Sequence, residues 1–114
     1  MIPVTLPRAK GRSRPVTGMN GLESRYETDL RLRQVAGEVT WYRFESLKFR
    51  LADNTFYTPD FMVMLAGGEI ELHEVKGHWE DDARVKIKVA AAMYPFRFVG
   101  VQRKKGQWLY EDFS

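Results

Sequence analysis

Residues 57–77 constrain the fold more than any other stretch of the chain. They read Tyr-Thr-Pro-Asp-Phe-Met-Val-Met-Leu-Ala-Gly-Gly-Glu-Ile-Glu-Leu-His-Glu-Val-Lys-Gly. Two strand-like apolar stretches, Phe61–Leu65 and Ile70–Val75, flank the turn-forming Ala66-Gly-Gly-Glu69, which is the pattern of a β-hairpin. Antiparallel pairing brings the start of the first strand beside the end of the second. Asp60 therefore lies near Glu74 and Lys76. Side chains alternate along a strand, so Glu74 and Lys76 share a face about 7 Å apart. Two acids and a lysine at one end of a hairpin suit a hard cation, because Mg²⁺ takes one or two carboxylates and completes its shell with water and phosphate oxygens. The same residues also allow a plainer reading, with Asp60 capping a turn and Glu74 and Lys76 solvated on a strand. Spacing alone does not choose between them.

The rest of the chain predicts one α+β domain. The 114 residues are enough for a single core, and 44% hydrophobic with 13% aromatic content supports folding over most of the length. A helix is predicted over residues 20–36, with Asn20 as N-cap, Gly37 just past the end, and Leu22, Tyr26, Leu30 and Val35 as an apolar stripe. Strands are expected at Val39–Phe44, Leu47–Leu51 and from Phe56, before the hairpin. Glu80, Asp81 and Asp82 precede a second helix over Ala83–Met93, as suits the positive end of a helix dipole, and Pro95 limits it. Strands at 96–101 and 107–110 close the chain. A strand–helix–strand crossover implies one parallel pairing beside the antiparallel hairpin, hence a mixed sheet.

The net charge of +3 is unevenly placed. Residues 1–19 carry Arg8, Lys10, Arg12 and Arg14 with no acid, leaving 14 of the 18 basic side chains against all 15 acidic ones in the remainder. Residues 1–19 are expected to form a basic flexible arm suited to phosphate contacts, or simply a solubilising tail, ahead of a folded domain over 20–114. The absence of cysteine excludes disulfides, thiolate metal sites and thiol catalysis. No apolar run is long enough to span a bilayer and no signal-peptide pattern opens the chain, so a cytoplasmic location and no membrane partner are expected.

Pro59-Asp60 followed by Glu74-Val75-Lys76 resembles the core motif of the PD-(D/E)XK nuclease superfamily, closest to small phage and prophage endonucleases and to the endonuclease I and RecU-like Holliday-junction resolvases. The resemblance spans about residues 20–102. It implies an αβββαβ restriction-endonuclease-like core and a Mg²⁺- or Mn²⁺-dependent endodeoxyribonuclease. It further implies that Asp60, Glu74 and the Val75 carbonyl bind the metal, that an acid on the first helix (Glu23, with Glu27 in reserve) completes the site, and that Lys76 acts on the attacking water or the phosphate. Branched or duplex DNA as substrate and a homodimer are implied for junction resolution. Nicking, restriction-type or transposase-associated nucleases share the motif, and a DNA-binding module without catalysis is the non-enzymatic alternative. Lys86 and Lys88 on the second helix are candidate DNA contacts. Arg103, Lys104 and Lys105 read as a solvated turn, His73 and His78 lack the spacing of a zinc pair, and Trp41, Trp79 and Trp108 read as packing residues.

Overall fold

In the computed structural model, residues 18–114 are described; Arg8, Lys10, Arg12 and Arg14 lie outside them. The elements run α1 (Gly21–Val35), β1 (Val39–Phe44), β2 (Phe49–Ala52), β3 (Thr55–Tyr57), β4 (Phe61–Leu65), β5 (Ile70–Lys76), α2 (Asp81–Met93), β6 (Arg97–Lys104) and β7 (Gln107–Asp112). Five strands form a mixed sheet in the order β1-β4-β5-β6-β7, and β2 and β3 form a separate two-stranded sheet. Only β5–β6 is parallel, joined through α2. With the β2–β3 pair set aside as an insertion, the order is the expected αβββαβ, followed by β7. The described residues form one α+β domain.

Local chemistry accounts for the element ends. Asn20 caps α1: its Oδ1 accepts from the Glu23 amide at 2.7 Å, and Glu23 Oε1 accepts from the Asn20 amide at 3.0 Å, a reciprocal capping box. Gly37, with φ of 86°, takes the left-handed conformation that ends the helix. Of the expected apolar stripe on α1, Tyr26 and Leu30 are fully buried and Leu22 packs at the margin of the core. Val35 is 83% exposed, because at five residues past Leu30 it stands about 140° around the helix from the buried stripe. The second helix starts at Asp81, two residues earlier than expected.

Alternation along the strands sorts the core onto two faces. Tyr26 and Leu30 of α1 pack with Phe61, Val63, Val75, Val99 and Val101 on one face. On the other, Ile87 and Ala90 of α2 join Leu72, Phe98, Phe49 and Tyr57, so the small β2–β3 sheet and α2 cover the same side. Gly100 lies in mid-β6 on this second side, where a Cβ would stand 2.6 Å from the Trp79 ring and 2.9 Å from Phe113. The close approach of Trp79 to the sheet needs glycine there.

Candidate active site

The hairpin register decides where the motif residues meet. Phe61 pairs with His73, Met62 with Leu72 and Val63 with Glu71. Asp60, one step before Phe61, therefore faces Glu74 across the strand ends. The backbone of Asp60 is anchored to the end of β1, its carbonyl accepting from the Glu45 amide at 2.8 Å. Its side chain turns onto β5, where Oδ2 accepts from the Val75 amide at 2.7 Å. Val75 thus enters the site through its N–H.

Glu74 lies on the α2 side of the sheet. Its Oε1 accepts a hydrogen bond from the Tyr57 hydroxyl at 2.8 Å, and its Oε2 lies 3.3 Å from Lys76 Nζ. Asp60 and Glu74 are both buried, whereas Lys76 keeps about a third of its side chain in solvent. The Lys76 ammonium group therefore links buried Glu74 to the surface. Glu23 is also buried, at the N-terminus of α1, close enough for its charge to act on Asp60.

The electrostatics follow from this crowding. Burial, then the neighbouring Glu74 charge, pushes the Asp60 carboxyl up to about 8, against the opposing effect of the Val75 N–H, with Glu23 pushing it further up. Burial also raises Glu74, although Tyr57 and Lys76 pull it back. Burial and the Glu74 charge hold the Tyr57 hydroxyl far above its ordinary value, so it remains a donor to Glu74. Three buried carboxyl groups gather here, and one partly exposed ammonium group, Lys76, pairs with Glu74. Negative charge is in excess.

That excess, and the purely oxygen donor set, fit a hard divalent cation. Among the described residues, no group of three or more His, Cys, Asp or Glu side chains stands in ready-made ligand geometry. Mg²⁺ does not require such a cage, since it commonly binds one or two carboxylates and retains water. Asp60 and Glu74 each have an oxygen not engaged by Val75 or Tyr57.

An open groove of about 650 Å³ runs past Glu74 and Lys76, with Tyr57, Thr58, Asp82 and Lys86 on its other walls. Lys86 hangs over it, donating to the Phe56 carbonyl at 3.3 Å. Lys88 lies elsewhere, on the side of α2 where its charge acts on Glu111. Its neighbour on that side, Arg84, forms a two-pronged pair with Glu111 at 2.8 and 3.1 Å. The reserve acid Glu27 is taken up by Arg31 at 2.6 Å and by the Tyr42 hydroxyl at 2.5 Å. His73 is buried on the opposite face, between the Tyr26 hydroxyl and Glu71, each at 2.8 Å. His78 is exposed.

Sequence reasoning assigned no role to Tyr57. Its only signal was its place in Tyr-Thr-Pro-Asp, and its contact with Glu74 depends on how the two sheets meet. No family model, curated protein or solved structure matches the chain.

Proposed function

We propose that this protein is a metal-dependent DNA endonuclease that hydrolyses phosphodiester bonds, with branched DNA of the four-way-junction type as its preferred substrate. One observation carries the reading. Two buried, mutually repelling carboxyl groups, Asp60 and Glu74, stand together at the strand ends, and of the two Glu74 reaches the wall of an open groove, where Lys76 pairs with it. A purely structural ion pair would not need the second and third acids.

Asp60, Glu74 and Glu23 would hold a Mg²⁺ or Mn²⁺ ion, with the Val75 carbonyl as a further ligand. When bound, the ion supplies Lewis acidity for the phosphate and for water. The remaining work falls to side chains. The Val75 amide and the Tyr57 hydroxyl fix the two carboxylates, so little reorganisation is needed when substrate arrives. Lys76, tethered to Glu74, orients the attacking water or neutralises charge on the phosphorane-like transition state. Lys86 meets the DNA backbone across the groove. Cleavage leaves a 5′-phosphate and a 3′-hydroxyl. Symmetric resolution of a junction needs two matched cuts, hence a homodimer. A role in phage or prophage DNA processing would place the protein in the host cytoplasm. No helix among the described residues is long and apolar enough to cross a membrane.

The test is cleavage of a labelled four-way junction beside the matching linear duplex, in Mg²⁺, Mn²⁺ or EDTA. Paired, metal-dependent cuts confined to the junction are expected. Equal cutting of both substrates would replace the junction preference with nicking or restriction-type activity. No cutting in either metal would point to a partner-dependent transposase-type subunit or to a binding module without catalysis.

A further inference from the structure

The β6–β7 hairpin projects from the same end of the sheet as the acidic cluster. In the parallel β5–β6 register Lys76 pairs with Gln102, and the Gln102 side chain donates to the Gly77 carbonyl at 3.3 Å. Strand β6 then continues past the end of β5 through Arg103 and Lys104 into a two-residue turn, Lys105-Gly106, before Gln107 pairs back with Lys104. At about 3.3 Å per residue, the three cations lie roughly 3–10 Å beyond the level of Lys76. That range matches one to three phosphates of a strand, which rise about 3.4 Å each along a duplex.

The turn is built to hold its shape. Lys105 and Gly106 have φ of 51° and 76°, the left-handed pair that a tight type I′ turn requires. Such a turn favours Asn or Gly at its first position, and here a lysine occupies it at a conformational cost. The Arg103 guanidinium lies 4.6 Å from the centre of the Trp108 ring, and Trp108 packs against the core. Arg25 of α1 shares with Arg103 and Trp108 a shallow cleft of about 410 Å³, in which Asp29 is the one acid.

Clustering of unpaired cations sets this patch apart: Arg43, Lys48, Lys86 and Lys88 also lack a carboxylate within 4.0 Å among the described residues, but none of them has another unpaired cation beside it in the chain. Arg31, Arg33, Arg50, Arg84 and Arg97 all have a carboxylate within 4.0 Å. Among the described residues Arg25, Arg103, Lys104 and Lys105 have none, and Lys104 and Lys105 are exposed. We infer that the Arg103–Lys105 turn, with Arg25, grips the sugar–phosphate backbone of duplex DNA a few nucleotides from the bond that is cut. The inference rests on the nuclease reading above. It turns a segment that resembled a solvated loop into a fixed phosphate clamp.

The test compares the full-length protein with Lys104→Gln/Lys105→Asn, and with Lys48→Gln/Arg50→Gln, at and just before β2, as a charge-matched control. Affinity for a labelled duplex is measured over a salt series with Ca²⁺ in place of Mg²⁺, and cleavage is assayed in parallel with Mg²⁺. Asn accepts the left-handed turn, so the first variant should unfold at the wild-type temperature or above. Two lost phosphate contacts should reduce the slope of log K against log[salt] by about 2, at roughly 0.9 per contact, while the control leaves it unchanged. A wild-type protein that cuts DNA, with equal slopes in wild type and the turn variant, would overturn the clamp and leave the nuclease standing. A wild-type protein that neither binds nor cuts would overturn both.

Discussion

A carboxyl group buried beside other carboxyl groups resists ionisation, and Asp60 shows what that implies for a single residue. Unfolded, it titrates near 3.8; folded, near 8. Between those values the folded state holds the proton more tightly, so stability from this group is complete below about 4 and is lost as pH rises through about 8. In EDTA the melting temperature of the wild type should therefore fall more between pH 5 and pH 9 than that of Asp60→Asn, whose carboxamide can still accept from the Val75 amide. Each kcal/mol is worth roughly 4–8 °C in a small domain. Parallel pH profiles would rule out Asp60 as the source. Lys76 calls for a different experiment. It is partly exposed and its fold contact is a single ion pair, so Lys76→Ala should preserve the circular dichroism spectrum and DNA affinity. Loss of a charge-stabilising donor typically lowers turnover by about 10²–10³, and cleavage should drop at least that far. Wild-type cutting by this variant would mean the site is assigned wrongly.

At the level of elements, the seam between the sheet and its α2-side cover is the sensitive place. Gly100→Ala puts a methyl group into the Trp79 and Phe113 rings. Overpacking of that kind costs about 1–3 kcal/mol, which a urea titration would resolve; an unchanged midpoint would show that Trp79 can move aside freely. Much of this level was legible in the sequence. Val39–Phe44 and Phe61–Leu65 are the very spans that their apolar runs suggest, and Asn20 and Gly37 bracket α1 by local hydrogen-bond and dihedral preferences. The placement of Asp60 against Glu74 was legible too, because a short turn fixes hairpin register. Long-range assembly was not. Leu47–Leu51 reads as a strand of the main sheet, but β2 pairs only with β3, and Phe49 packs onto Phe98 and Tyr94. Tyr57 reaches Glu74 from that separate layer, across 17 residues of chain. The same limit hid the division between Lys86 and Lys88, since helical spacing gives relative angles but not which side meets the groove.

For the molecule as a whole, charge is arranged by position along the sheet. The buried acids and the unpaired cations of the β6–β7 turn gather at one end, while Arg33, Glu38, Glu71, Arg97 and Asp112 neutralise one another around a cleft at the other. A divalent cation bound at the acidic end, as proposed, would stabilise the folded state by mass action. Mg²⁺ at millimolar concentration should raise the melting temperature at pH 8, and by less at pH 5.5, where Asp60 is protonated. Differential scanning fluorimetry reads this directly. Equal or absent shifts at both pH values would argue against an ion at Asp60. The crowding of Glu23, Asp60 and Glu74 also has an evolutionary side. A library of random variants screened only for thermal survival in chelator should lose these acids early, while Tyr26, Phe61 and Phe98 stay fixed. Their persistence in a living lineage would then record selection for something other than durability.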